Sequence, residues 1–506
     1  MRIYFARKTA ARRLFSQFLQ LSAIVSVLLI MPYTAIRTKF YDLDPDIWWH
    51  IRVGDWIVRH HALPHVAIFS QYADRAWVPY SWCFELLVSG VHALLGLPGI
   101  PKLLISLQIL ISLTFLLAIR RIAGSFWRAW PIAVLGILAA EVNPLRPMTV
   151  TVLFFTLELL LIFEAERTAN DRMLYWIGPL FILWANCHIQ FVYGIAVIGV
   201  YVTARMAALI VDSYRGGVLI HTKALLKLAG FFALAVLGSC IGPNGWSLYE
   251  VAAGLATQTF VFQIIEEMQA MSFRSPLHFI ELLLVMTACF AIGRSRSRDL
   301  FRPMLMIMTA IASFRSLRDM WFAAVASSFV IAEAARAHPK EIAASDNQAR
   351  SWKLEPAAYA LGSILAVTLS FGYGVRHGMN TPDMINEIGK VYPVAATEFV
   401  RDSHLQGPMY NSMNWGGFLI FNLRELPVSI DPRTNIYGDQ LLARSVGTTS
   451  GIKWQTDPVL ARSNLVLLER YVPLAADLAQ DPAYRLVYQD PIAMVFVKQQ
   501  TQKSSD

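Results

Sequence analysis

Eleven stretches of the chain are apolar over nearly the length of a membrane-spanning helix, and no other feature narrows the possible folds as much. A helix needs about 20 mostly apolar residues to cross the hydrocarbon core, where its backbone polar groups must be satisfied within the segment. The stretches centre on residues 15–35, 101–119, 129–142, 148–163, 173–188, 190–210, 224–242, 277–293, 303–314, 320–335 and 356–374. Composition agrees: of 506 residues, 56% are hydrophobic and 16% charged, against about 25% charged in an average soluble domain. An ordinary soluble globule is excluded. A twelfth run, 82–97, is shorter and is interrupted by Glu85 and His92, so it is either a span or a helix lying against the membrane.

The distribution of charge arbitrates, because cytoplasmic loops are enriched in Lys and Arg. With 82–97 outside the membrane and the N-terminus in the cytoplasm, 22 basic residues fall on the cytoplasmic side and ten on the other. Making 82–97 a span would move Arg294, Arg296 and Arg298 outside. The sequence therefore predicts an all-α polytopic membrane protein of about eleven transmembrane helices in the inner (plasma) membrane. Arg12-Arg13-Leu-Phe resembles a twin-arginine signal, but the apolar stretch after it is long and no small-x-small cleavage site follows, so it is read as the first span.

Residues 1–375 form the membrane part, with an external loop over 36–100. Residues 376–506 differ, with 12 basic and 13 acidic residues and frequent Gly, Pro, Asn and Asp. Apolar runs at 417–421, 428–430, 465–468 and 494–497 alternate with helical patterns at 391–402 and 472–480. This reads as a small extracytoplasmic α/β domain. The net charge of +9 lies in short segments beside helix ends, so it gives nucleic-acid binding no support. Cys83, Cys187, Cys240 and Cys289 lack metal or disulfide spacing and read as small apolar residues. No phosphate-binding loop, dinucleotide fingerprint, zinc-protease motif or nucleophile elbow is present.

The first external loop carries the densest chemistry. Asp42, Asp44 and Asp46, at spacing two, precede an amphipathic pattern with Trp48, Trp49, Ile51 and Trp56. Tryptophan suits the membrane–water boundary, and a helix in that plane holds Asp44 and Asp46 just outside the bilayer. There a carboxylate can deprotonate an acceptor hydroxyl, though an aspartate at a helix start is equally a cap. Asp42-Leu-Asp44 also matches the short pattern that holds a divalent metal, and His50, Arg52 and Asp55 fall near one helix face.

Polar residues at the external ends of later spans are functional suspects. They are Asn143-Pro-Leu-Arg146-Pro147, Trp184-Ala-Asn186-Cys-His188-Ile-Gln190, Gly242-Pro-Asn244-Gly245, and the turn with Arg315, Arg318 and Asp319. Converging guanidiniums suit a phosphate, which they grip bidentately. Arg146 and Arg318, with Arg315, are the phosphate candidates; pairing with Asp319 or with headgroups is the alternative. His188 and Asn186 are candidate substrate contacts or interhelical partners.

One in-to-out span, an acidic external loop, an aromatic helix ending in Gly54-Asp55-Trp56 before Pro64, and many later spans resemble the GT-C superfamily of membrane glycosyltransferases. The likeness is to uncharacterised bacterial members near the protein mannosyltransferase and lipid A aminoarabinose transferase branch. Asp46, Trp48, Trp82-Cys-Phe-Glu85, Asn143-Pro-Leu-Arg146-Pro147, Trp184-Ala-Asn186-Cys-His188, Asn414-Trp415-Gly416-Gly417 and Ile430-Asp431-Pro-Arg433 carry it. That family's acidic pair is usually adjacent; here Pro45 separates Asp44 from Asp46. The resemblance implies inverting transfer of a sugar from a polyprenyl-phosphate donor to an extracytoplasmic glycan, lipid or protein. Asp46 or Asp44 would be the base, Arg146 and Arg318 would stabilise the departing phosphate, and His50 would stand nearby. Three other readings stand beside it: a transporter or flippase, which needs inverted repeats with charges at mid-span, a non-catalytic polysaccharide assembly factor, and an O-antigen ligase or polymerase.

Overall fold

The computed structural model describes residues 2–38, 44–140, 144–216, 222–295, 299–336 and 355–499. Each apolar stretch is mainly helical over its described residues, and among the described residues seven helices have the length and hydropathy to cross a membrane. These are α1 (Arg2–Arg37), α4 (Gly99–Ala123), α6 (Met148–Thr168), α8 (Phe191–Gly216), α9 (Thr222–Ser239), α12 (Pro276–Ser295) and α15 (Glu355–Arg376). The other four expected spans are shorter: α5 (Phe126–Ala140), α7 (Ile177–Cys187), α13 (Phe301–Arg315) and α14 (Met320–Ala334). In α14 every residue from Met320 to Val330 is buried. Protein rather than lipid surrounds it, which relaxes the demand for a full lipid-spanning length.

The chain turns at two opposite ends of this bundle. At one end Arg121 pairs with Glu164 at 2.7 Å, Arg302 with Glu333 at 2.6 Å and Lys227 with Asp171 at 2.6 Å, tying together the ends of α4, α6, α9, α13 and α14. At the other end lie α2 (Pro45–His60), α3 (Trp82–Leu95), α10 (Ser247–Thr257), α11 (Val261–Ile264) and everything after α15. The 82–97 run thus holds a fourteen-residue helix, α3, packed on α2. A Cβ at Gly54 would lie 2.2 Å from the Glu85 carbonyl oxygen. Only glycine lets the two helices cross this closely. Asp55 fixes the crossing by accepting a hydrogen bond from Ser89 Oγ at 2.9 Å. The Gly54-Asp55-Trp56 motif, inside α2, is therefore a packing device.

After α15 come α16 (Thr381–Ile388), α17 (Val394–Asp402), β1 (Met409–Asn411), α18 (Gly416–Asn422), α19 (Thr434–Thr449), α20 (Pro458–Arg462), β2 (Leu465–Glu469), α21 (Pro473–Gln480), β3 (Tyr484–Gln489) and β4 (Ala493–Lys498). The sheet order is β1-β2-β4-β3, with β1 parallel to β2 and the other pairs antiparallel. The apolar runs at 465–468 and 494–497 are its strands. The run at 417–421 is instead helix α18. The run at 428–430 is not a strand of the sheet, and its isolated bridge, Val428 to Ser70, ties it to the first loop. Short runs buried on all sides have no period that separates helix from strand.

This C-terminal region shares its core with the first loop. Trp48, Trp49, Ile51, Phe84 and Val88 pack with Trp415, Phe418, Leu419, Ile430 and Tyr437. A Cβ at Gly417 would lie 2.2 Å from the Pro45 carbonyl oxygen, so this glycine allows α18 to dock on α2, while a Cβ at Gly416 would lie 2.3 Å from the Ile430 carbonyl oxygen. A separate core, including Val466, Leu468, Leu474 and Phe496, sits between the sheet and its own helices.

Candidate active site

The turn at Pro45 divides the two candidate carboxylates. Proline holds the preceding residue out of the helical region, and Asp44, at φ −48° and ψ 138°, is the N-cap of α2. Its Oδ1 accepts the Asp46 amide at 2.9 Å, and its Oδ2 accepts Arg146 Nε at 2.7 Å and is also paired with Arg146 Nη2. Asp46, one step into the helix, accepts Trp49 Nε1 at 3.0 Å through Oδ1 and leaves Oδ2 at 4.0 Å from Arg146 Nε. Burial, reinforced by the negative charge of Asp44, pushes the Asp46 carboxyl up to about 7 despite Arg146, Trp49 and Arg318.

Asp46 opens into a cavity of about 490 Å³ formed by α2, the starts of α6 and α8, the end of α13, the 252–268 segment and residues 413–434. That volume is in the range of small-molecule sites. His50, Arg146, His188, Arg315 and Arg318 line it as well, so six of the residues singled out from sequence meet at one place. Tyr80, Gln190, Tyr193, Gln258, Glu267, Asp319 and Arg433 are among the other polar residues that line it.

The arginines divide in turn. Arg146 is spent on carboxylates, with Nε and Nη2 on Asp44 and Nη1 on Glu267. Glu267, missed in the sequence because it lies in an irregular loop, is held below the ordinary carboxylate range by Arg318 and Arg146, against the effect of its burial. Arg318 lies 3.6 Å from Glu267 through Nη1, and its Nε has no partner. Arg315 is exposed beside the Phe262 ring, 5.0 Å from its centroid. The neighbouring Asp319 is raised by burial and accepts Gln190 Nε2 at 2.8 Å and Tyr193 Oη at 2.9 Å.

His50 is buried, and desolvation, then His188, Arg146 and Arg433, hold its pKa well below the usual histidine value. Its Nδ1 is 3.4 Å from Glu85, whose carboxyl burial pushes up to about 8. At neutral pH this is a contact between two largely uncharged groups. His188 Nδ1 is 2.9 Å from Thr151 Oγ1, which accepts Trp184 Nε1 at 2.9 Å. Asn186 stays outside the cavity. It accepts Trp82 Nε1 at 2.9 Å and donates to the Ile182 and Ile241 carbonyls at 2.8 Å, fastening α7 to α3 and to the end of α9.

Asp42 lies outside the described residues. The other member of the metal motif, Asp44, has both oxygens engaged, one of them by a cation, and so offers no free carboxylate to a divalent ion. Among the described residues no three His, Cys, Asp or Glu side chains gather as a metal site.

No protein-family model matches the chain, and no curated protein matches it in sequence. Solved structures do match in fold. The archaeal oligosaccharyltransferase AglB from Archaeoglobus fulgidus, in complex with an inhibitory peptide and a dolichol-phosphate, aligns with TM-score 0.53 at 12% identity, over 90% of this chain and 70% of that one. ArnT from Cupriavidus metallidurans aligns with TM-score 0.49 in the apo state, at 13% identity over 96% of this chain and 98% of that one. Bound to undecaprenyl phosphate, it aligns with TM-score 0.44 at 12% identity, over 95% and 97%. At 12% identity the AglB likeness shows that this chain shares that protein's fold.

Proposed function

We propose that the protein is a membrane glycosyltransferase that moves a sugar from a polyprenyl-phosphate carrier to an extracytoplasmic acceptor, with inversion at the anomeric carbon. The reading rests on one observation: a carboxyl raised to about 7 and a guanidinium with an unpartnered Nε share one cavity beside the apolar bundle. The fold is shared with AglB, whose structure holds a dolichol-phosphate, and a carrier of that kind fits a cavity bordered by membrane helices.

In this mechanism Asp46 Oδ2 takes the proton of the acceptor hydroxyl as its oxygen forms a bond to the anomeric carbon. The bond from that carbon to the carrier phosphate breaks, and the phosphate leaves with the electron pair. Arg318, helped by Arg315, stabilises the charge that develops there. A base with a pKa near 7 is both available and strong enough at neutral pH. Arg146 holds Asp44 and Glu267 in place around the base, and neutral His50 and His188 line the route of the acceptor without adding charge. In this reading the cavity and the C-terminal region face the extracytoplasmic side of the plasma membrane, which the distribution of basic residues between the loops supports.

The test is to load purified protein with polyprenyl-phosphate sugars and follow release of the carrier phosphate. Release that depends on acceptor and falls at least about 100-fold in Asp46→Asn is expected. Unchanged release in Asp46→Asn refutes the assignment of the base, and no release with any donor refutes the activity.

A further inference from the structure

The proposed chemistry leaves one end of the cavity unused. Arg433, from the segment leading into α19, is 3% exposed and lines the cavity opposite the bundle. Its Nε donates to Asp431 Oδ1 at 2.8 Å, and its Nη2 donates to Asp431 Oδ2 at 2.8 Å and to the Ile68 carbonyl at 3.0 Å. The guanidinium is pinned over the Trp77 ring, 4.8 Å from its centroid, and near Trp49. Nη1 has no partner. Gln258, on the same wall, donates through Nε2 to the Thr434 carbonyl at 3.1 Å, while its buried Oε1 has no partner.

A buried donor and a buried acceptor left unsatisfied in one cavity each carry an uncompensated desolvation penalty. Such groups are best accounted for by a ligand that completes them. The charge state narrows what that ligand is. Burial alone would raise the Asp431 carboxyl, but Arg433 and Tyr437 hold it below the usual range, so the buried pair is ionised and neutral overall. An anion gains little from a guanidinium already matched by a carboxylate, whereas a hydroxyl can accept from Nη1 and another can donate to Oε1. A pyranose presents both, and Trp49, which lines the cavity beside Arg433, suits the apolar face of such a ring.

We propose that Arg433 and Gln258 form a hydroxyl-recognition subsite for a neutral sugar ring, either that of the donor or that of a glycan acceptor. It rests on the glycosyltransferase reading but is tested by binding without turnover. Full-length protein in nanodiscs is titrated with undecaprenyl phosphate and with the same lipid carrying mannose, glucose or galactose. In a second arm, methyl glycosides and short oligosaccharides of those hexoses are titrated into protein loaded with undecaprenyl phosphate.

A sugar-dependent gain in affinity is expected in one arm, identifying the donor or the acceptor as the occupant. That gain should fall about five- to tenfold in Gln258→Met and in Arg433→Lys, the size of one lost hydrogen bond. Affinity for bare undecaprenyl phosphate should stay the same. Gln258→Met leaves the buried ion pair intact and so keeps the test open if Arg433→Lys fails to fold. No sugar-dependent gain in either arm, a gain that survives Gln258→Met, or loss of affinity for the bare carrier overturns the subsite. Failure of Asp46→Asn to reduce turnover would overturn the base and leave this result standing.

Discussion

The pKa of Asp46 makes the sharpest prediction, because a second residue sets part of it. The carboxyl rises from 3.8 to about 7, roughly 3 pH units or about 4 kcal/mol. Burial is the largest cause and the charge of Asp44 the next. Arg146 Nε lies 2.7 Å from Asp44 Oδ2 and 4.0 Å from Asp46 Oδ2, so the two carboxylates flank one cation. A like charge about 6 Å away, acting through an effective dielectric of about 20, is worth roughly 3 kcal/mol, near 2 pH units. Asp44→Asn removes that repulsion and also frees Arg146, which already lowers Asp46, so both changes act downward.

The assay is kcat/KM for carrier release against pH, which reports the free enzyme. A phosphodiester donor has no group titrating near neutrality. A base must be ionised, so activity climbs with pH on an acid limb centred near 7 in the wild type. In Asp44→Asn the limb should move about one to two pH units lower. An unmoved or upward-moving limb refutes the assignment of Asp46 as the titrating base and Asp44 as the neighbour that tunes it.

Arg318→Gln should raise donor KM at least about tenfold, because it removes a charge-assisted contact to phosphate. Arg146→Gln should instead lower the thermal midpoint, since unpairing a buried charge costs about 3–5 kcal/mol. Exchange of these two outcomes would swap the roles of the two arginines. Gly54→Ala places a Cβ 2.2 Å from a backbone oxygen and should cost about 1–3 kcal/mol in a melt while abolishing transfer; a stable, active variant contradicts the crossing as described. Glu158, fully buried in α6 with both carboxylate oxygens lacking partners, should melt higher as Glu158→Met, with transfer retained. A lower midpoint would show that the carboxylate has a partner, and lost transfer that it serves the reaction.

What the sequence disclosed follows from where its signals are local. Spans, the acidic loop and polar helix ends are each visible within a few residues, and they led to six residues that do share a cavity. The saturation of Arg146 is invisible at that range, because Asp44 is 102 residues and Glu267 121 residues away. Glu267 and Gln258 sit in irregular backbone without apolar periodicity, so no pattern marks them. Gly416-Gly417 and Gly54 were legible as motifs, but their physical cause, the approach of α18 to α2 and to the Ile430–Asp431 backbone and of α3 to α2, exists only once the chain is folded. Asn186 shows the reverse: a polar residue at a span end whose hydrogen bonds are all taken by the scaffold.

The separation of the acidic pair by Pro45 has a consequence for catalysis. Two adjacent carboxylates at a helix start would compete for the same cap and the same cation. Proline at the first helical position forces Asp44 into extended backbone, where its oxygens face the amide of residue 46 and Arg146. Asp46, fixed by Trp49, then turns its second oxygen into the cavity with only a distant cation at 4.0 Å. One carboxylate is made structural so that the other stays basic. Pro45→Ala therefore predicts more than local loosening: as Asp44 relaxes toward helical geometry and Arg146 is shared between the two carboxylates, the acid limb should fall and the maximal rate with it. A Pro45→Ala variant that keeps the wild-type limb near pH 7 and the wild-type rate would show that backbone restriction at residue 44 does not set this division.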